Sequence, residues 1–538
     1  MLDLVIKNGK VCDGTGNPWF YGDVGVREDR IVKLGHVDPS EVDSAREIDA
    51  RGMVVCPGFV DVHTHSDASI LYYPKADSVV RQGVTTVVNG NCGSSAAPVS
   101  PSHYHELKRA FLPGDDAPEF TWTDFAGYLA QVEKTGASVN VASLVGQGSI
   151  RRRVMGVESR PPAADEMAQM KRLLRESLEQ GAIGMSTGLV YVPGCYSSTA
   201  ELTDLVSVMQ GTPDVVYVSH TRSLNEGLFD AIDEAIALGD VAGCPVQLSH
   251  MCPSSPFWGK AQQMLDTFER ARKQGREVTA DMFTYSYGHN SCFNMVPPWA
   301  REVGAERLSQ NLRDPAYRQR VKEDTLKYGS ARGGSAKRSL IKEGRWELIW
   351  ICGSNLHPDY NGISMDEIGK MLGKDPYEAM LDITADEPHC DIMAANYTEE
   401  DVATIIAHPL MMVASDGKVD APYGRNVGLE HPRSYGTFVR ALGRYVRELG
   451  ALRLEEAIRK MSSFPAKKMG FSDRGILREG LFADIVVFDP DTVSDRGVIK
   501  QPRQYPVGVQ YVIVNGVVVI SLGEHTGARS GKVLRRCG

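Results

Sequence analysis

No stretch of this chain approaches the roughly 20 apolar residues that a membrane-crossing helix requires. The ten cysteines show neither Cys-x-x-Cys spacing nor a pairing pattern. In a chain this long that excludes a disulfide framework and points to reduced thiols in a cytoplasmic protein. An excess of positive charge is also missing. Lys and Arg number 59 against 68 Asp and Glu, a balance of −9, whereas a nucleic-acid binder usually carries a basic domain or stripe. No short internal repeat is present, which argues against a solenoid. The start lacks the long apolar core of a signal peptide, because Leu2-Asp3-Leu4-Val5-Ile6 alternates as a strand does. Asn8-Gly9 then reads as a hairpin turn. With 42% hydrophobic and 24% charged residues, whole-chain disorder is excluded as well.

What is present divides into three textures. The first ~55 and last ~60 residues are rich in short strands and turns, such as Arg27-Glu28-Asp29-Arg30, Ala483-Asp484-Ile485-Val486 and Tyr511 to Val519. Between them, β-branched runs alternate with helical stretches at 166–180, 261–273 and 454–461, the pattern of βαβ units around a parallel sheet. The expected organisation is a composite small β domain from 1–56 and 478–538 around a long α/β middle at 57–477, expected to form a barrel. One segment breaks the pattern: Gly329 to Arg338 is small, basic and flexible in composition. It reads either as a surface loop or as part of a lid, expected at about 286–350, over a site.

Chemistry concentrates where the middle strands end. Phe59-Val60-Asp61-Val62 runs into His63-Thr64-His65, and Val84 to Val88 into Asn89-Gly90-Asn91-Cys92-Gly93. Three later runs end at His220, His250 and Asp416-Gly417. In a parallel barrel the C-terminal strand ends surround one mouth, where such enzymes do chemistry. Alone, a histidine after an apolar run is ordinarily a core residue, Cys92 a small buried hydrophobe, and an Asp before Gly a turn residue. His63 and His65 differ, because residues i and i+2 of a strand face one side and can share a metal. Coincidence at all five strand ends is far harder to dismiss. Imidazole, thiolate and carboxylate together suit Zn²⁺, which generates hydroxide near neutral pH for attack on an amide or ester. Asp416 is the expected general acid–base, taking the proton of water and delivering it to the leaving nitrogen.

At these residues the sequence resembles the amidohydrolase superfamily and, within it, the D-aminoacylase (N-acyl-D-amino-acid deacylase) group. The broad marks are Pro57-Gly58-Phe59-Val60-Asp61-Val62-His63-Thr64-His65, the two single histidines and the final strand-end Asp416. The narrower ones include Asn89 to Gly93, Gly184 to Gly194, Ser219-His220-Thr221-Arg222 and His431-Pro432-Arg433-Ser434-Tyr435-Gly436-Thr437-Phe438. The resemblance implies an α/β fold, a metal-dependent (β/α)8 TIM barrel with a small β-sandwich domain built from both chain ends. It implies Cys92, His220 and His250 around a tightly held zinc, and His63, His65 and Asp416 at a weaker second position. It also implies Arg433 as the grip on a substrate carboxylate, with Tyr285, Ser291 and Tyr191 as further contacts.

The implied reaction is zinc-dependent hydrolysis of an N-acyl-D-amino acid to a carboxylate and a free D-amino acid. The alternatives are ring opening of the hydantoinase or dihydropyrimidinase kind, or a non-enzymatic scaffold of the same fold. The expected partner is a small-molecule N-acyl amino acid, with neither nucleic acid nor membrane. Two departures bear on the substrate. The lysine usual two residues after the fourth metal histidine is Cys252 here, with Lys260 as a nearby substitute, and Gln147 stands where the group often has histidine.

Overall fold

The structure is a computed structural model and describes residues 1–38, 40, 42, 45–101, 104, 120–331, 335–424 and 429–536. Its centre is a ring of short parallel strands. Phe59–Asp61 pairs with Val84–Asn89, which pairs with Asn140–Ser143. The chain then continues into Val145–Gly146, which pairs onward with Gly184–Gly188. Val216–His220, Val246–Leu248, Val278–Met282 and Met411–Val413 follow in parallel order. The ring closes where Thr64 bridges Gly417 and Asp416 N donates to His63 O at 2.9 Å. Counting the interrupted run 140–146 once, eight strand positions close into a barrel.

Alternation along the strands explains how the ring fills. Val60, Val62, Val88, Ala142, Val216, Val218 and Met412 form one buried cluster inside the barrel, plugged by Ala466 and Met469. Their neighbours Phe59, Val87, Val141, Tyr217, Met411 and Val413 belong to a second cluster that packs against helices. A period of two puts successive side chains on opposite faces, so each strand feeds both layers. The helices cover the outer layer with one apolar stripe each. In Ala164–Glu179 the buried residues Met170, Leu174, Ser177 and Leu178 recur at helical spacing, and the Glu166 carboxylate receives Ala163 N at the first turn. The helices Ala261–Lys273 and Leu454–Met461 fall where periodicity places them.

The chain ends meet in a single nine-stranded mixed sheet. Leu4–Val11 lies near its middle, and Val54–Pro57 joins the N-terminal strands to Ile485–Phe488. Arg27 and Arg30 flank a two-residue hairpin at Glu28-Asp29, as expected. Asn8-Gly9 is not a turn. The strand runs straight through it with a register shift between Ile6 and Gly9, and Asn8 at φ 61 forms a bulge. Gly9 is needed because a Cβ there would collide with Val55 Cγ2 of the neighbouring strand.

A third unit interrupts the barrel between Met282 and Met411. Gly288–Ser291 and Ile349–Ile351 flank Asp391–Ala394 in an antiparallel sheet, and its helices bury a separate core around Leu308, Val321, Ile368 and Met380. The central strand comes last in sequence, so this unit reaches well beyond the expected boundary near residue 350. Within it, Ser335 and Lys337 are buried and Ala336 between them is half-buried, while residues 332–334 of the segment singled out above lie outside the described residues. Among the described residues, no helix is long and apolar enough to cross a membrane.

Candidate metal centre and active site

The five strand ends deliver all six expected residues to one mouth of the barrel. Cys92 Sγ lies 3.3 Å from His63 Nε2, 3.5 Å from His220 Nδ1 and 3.7 Å from His250 Nε2. Asp416 Oδ1 lies 3.3 Å from His63 Nε2 and 3.0 Å from His65 Nε2. Ligand atoms of His63, Cys92, His250 and Asp416 all fall within 4.8 Å of one another. Cys92 thus borders both the His220 and His250 pair and the His63 and Asp416 pair.

Three of these residues hold a left-handed backbone: Cys92 at φ 52, His250 at φ 39 and Asp416 at φ 48. Such conformations cost on the order of 1–3 kcal/mol each outside glycine and persist only where neighbours over-determine them. Here His250 N donates to Asp281 Oδ1 at 2.7 Å, and Asp416 N is held by the seam that closes the barrel. The Cys92 turn depends on glycine. A Cβ on Gly90 would overlap the Leu144 carbonyl oxygen, and one on Gly188 would overlap that of Cys92.

Asp281 organises the histidines from behind. It accepts from His63 Nδ1 at 3.1 Å as well as from His250 N, and its second oxygen accepts from Gln247 Nε2 at 2.8 Å. A proton on Nδ1 leaves the Nε2 lone pair of His63 facing Cys92 and Asp416, the tautomer a metal ligand needs. Asp61 plays a similar part at the seam, accepting from Ser415 N at 3.0 Å and His63 N at 3.3 Å. Sequence reasoning did not assign Asp281 a role. Its signal was a carboxylate in the middle of the buried strand Val278–Met282.

The electrostatics describe a cluster that demands positive charge. Burial pushes the Cys92 thiol up, but the neighbouring imidazoles, His63 first and then His220, outweigh it and hold the thiol well below its ordinary range. Burial likewise opposes ionisation of Asp416, and Arg433 followed by His63 and His250 overcomes it. Against burial, Asp416 and Cys92 raise His65 to about 9. His220 is lowered to about 4, by burial first and His250 next. A thiolate and a carboxylate side by side in a low-dielectric site need a compensating cation. This donor set of N, S and O fits zinc.

The pocket outside this cluster is walled by Tyr191, Phe283, Lys337, Asn396, Tyr397 and Arg433, among others. Arg433 opens the helix Arg433–Arg440 and binds Asp416 directly, Nη1 to Oδ2 at 2.5 Å. Tyr191 lies edge-on to the His220 ring, with centroids 4.8 Å apart. The other two expected contacts are not on the pocket wall. The Tyr285 hydroxyl donates to Asp495 Oδ2 at 3.0 Å, which turns it toward the C-terminal segment. Ser291 pairs with Asp391 in the inserted sheet and accepts from Asn294 Nδ2, one strand position too far along. Its neighbours His289 and Asn290 reach the pocket instead. Lys260 sits 4.5 Å from the Phe257 ring centroid, outside the wall, and buried Gln147 is held by Ser197 at 2.8 Å. Lys337 and Asn396 were missed because nothing local to the insertion says which of its residues turn inward.

Residues 46–312 and 364–520 match the amidohydrolase family, and the chain belongs to that family. The N-acyl-D-glutamate deacylase of Alcaligenes xylosoxydans xylosoxydans is 35% identical over 538 residues, spanning 99% of this chain and 97% of its own. The D-aminoacylase of the same organism is 32% identical over 540 residues, spanning 99% and 98%. A crystal structure of N-acyl-D-glutamate deacylase from Bordetella bronchiseptica, complexed with zinc and a phosphonate inhibitor, superposes with a TM-score of 0.81. It is 33% identical, and the match covers 99% of this chain and 100% of that one.

Proposed function

We propose that this amidohydrolase cleaves the amide bond of N-acyl-D-amino acids, releasing a carboxylate and a free D-amino acid. The observation that carries the reading is the cluster of Cys92, His63, His250 and Asp416 opening onto a pocket with two cations, Arg433 and Lys337. The names of the relatives supply the acyl-D-amino acid class. Cys92, His220 and His250 would hold one zinc tightly, and His63, His65 and Asp416 a second more weakly. Zinc bound there would lower the pKa of water to about 7 and polarise the acyl carbonyl.

The chain's own groups do the rest. Asp416 is held ionised beside Arg433, so it is ready to accept a proton from the attacking water. The water oxygen bonds to the acyl carbon, the carbon–nitrogen bond breaks, and Asp416 returns the proton to the departing nitrogen. Arg433 orients the substrate through its carboxylate, a geometry that a planar guanidinium favours. Residence in the cytoplasm belongs to the same proposal, because a zinc-binding thiol must stay reduced.

Amine release from N-acetyl- and N-formyl-amino acids of both configurations, measured beside hydantoin and dihydrouracil opening, tests this. Turnover confined to the D series, with zinc in the purified protein, is the expected result. Faster ring opening than deacylation would overturn it.

A further inference from the structure

The pocket wall has an imbalance that the metal cluster does not explain. Its permanent cation is Arg433, and a second cationic group, Lys337, comes from the insertion. Asp416 is the sole carboxylate on the wall among the described residues, and Arg433 already holds it. Lys337 is 7% exposed, and among the described residues no hydrogen bond or ion pair engages its Nζ. Room for the ammonium comes from Gly288, since a Cβ there would stand 3.3 Å from Lys337 Nζ on one side and 3.2 Å from Asn396 Oδ1 on the other. Among the described residues, Arg433 Nε is also buried without a partner. Buried cationic donors without acceptors are costly, and native structures seldom keep them without a use.

The geometry points to Lys337 as a second cation for the substrate's α-carboxylate, which would bind between Lys337 and Arg433. This rests on the deacylase reading above. A carboxylate offers two oxygens and about four lone pairs, enough to accept from both side chains at once. The electrostatics agree. Burial and then the Arg433 charge push Lys337 down to about 8, with Asp416 as the only opposing influence. Two cations that disfavour each other across a buried pocket are what an anion between them would relieve. Of the other titratable groups near Lys337, His289 is lowered to about 3, chiefly by burial, and offers no competing charge. Because Lys337 sits on the inserted unit and Arg433 on the barrel, the same carboxylate would also tie the two units together when substrate binds.

Lys337→Met, Lys337→Gln and Lys337→Arg test the assignment with three substrates: N-acetyl-D-leucine, N-acetyl-D-glutamate and N-acetyl-D-leucinamide. Zinc content and melting temperature serve as controls for folding. The expected result is a KM raised about 10- to 100-fold for both acids in the Met and Gln variants, the range for losing a charge-assisted hydrogen bond. Their kcat should stay near wild type, the Arg variant should recover most of the loss, and the amide should be indifferent to all three changes. Unchanged KM for both acids in a folded variant overturns the inference. A rise confined to N-acetyl-D-glutamate also overturns it, by moving Lys337 to the side-chain carboxylate. If the wild-type protein turns over none of the three, the deacylase reading itself fails and this one with it. Normal wild-type turnover with unaffected variants sinks the Lys337 assignment alone.

Discussion

Cys92 and Asp416 lie in one cluster yet should fail differently when removed. Cys92 Sγ lies within 3.7 Å of three imidazoles, so Cys92→Ala should release zinc on dialysis and lose turnover together. Asp416→Ala should keep metal at the Cys92, His220 and His250 position while kcat falls about 10²–10⁴-fold, the usual worth of a general base. Metal analysis beside kcat checks the contrast, and a Cys92→Ala protein that retained its zinc would refute the ligand set. At this scale the sequence was informative because each candidate sits directly after a recognisable apolar run. It was uninformative about Tyr285 and Ser291, whose neighbours decide where they point. The Tyr285 hydroxyl goes to Asp495, 210 residues away, a partner that no local pattern reveals.

The strand ends act as elements because their turns are sterically determined. In Asn89-Gly90-Asn91-Cys92-Gly93, Gly90 has φ 77 and touches the Leu144 backbone. Gly90→Ala therefore has both a strained backbone and an overlap that no rotamer relieves. It should cost about 1–3 kcal/mol at least, and because Cys92 rides on this turn, zinc affinity should fall as well. Chemical denaturation and zinc titration on the same variant measure the two effects, and a neutral result in both would contradict the steric account. Barrel strands were legible from period and β-branched content. The inserted sheet was not, because its central strand Asp391–Ala394 pairs with strands 40 to 100 residues earlier in the chain. Asn8-Gly9 shows the same limit. Its composition favours a turn, but the pairing of Leu4–Val11 with strands on both sides makes it a bulge.

At the scale of the molecule, the C-terminal segment is joined to the barrel through one buried polar network. Asp484, in the Ala483-Asp484-Ile485-Val486 run, accepts from Arg474 Nη1 at 2.5 Å, Asn140 Nδ2 at 3.1 Å and Asn515 N at 2.7 Å. Asn140 begins a barrel strand, Asn515 sits in the turn between Val509–Val514 and Val517–Ser521, and the tail returns so that Leu534 N donates to Val141 O. Asp484→Ala would leave the buried Arg474 guanidinium with only the half-exposed Asp473 carboxylate, 3.2 Å from its Nε, and breaking a buried pair typically costs about 3–5 kcal/mol. Urea denaturation should show that loss with zinc content of the folded protein intact, since the network lies away from the metal cluster.

The sequence by itself determined the alternation of strands and helices, the composite origin of the small sheet and the identity of the six residues at the mouth. Each of these follows from local periodicity or from side-chain chemistry at a strand end. The tertiary structure alone decided that Cys92 stands between two groups of ligands, that Asp281 fixes the His63 tautomer, and that Lys337 turns inward beside Arg433. Those outcomes depend on which distant segments close around a charge. That choice is made by packing and by the cost of leaving buried polar groups unpaired, and neither is written in the neighbourhood of any one residue.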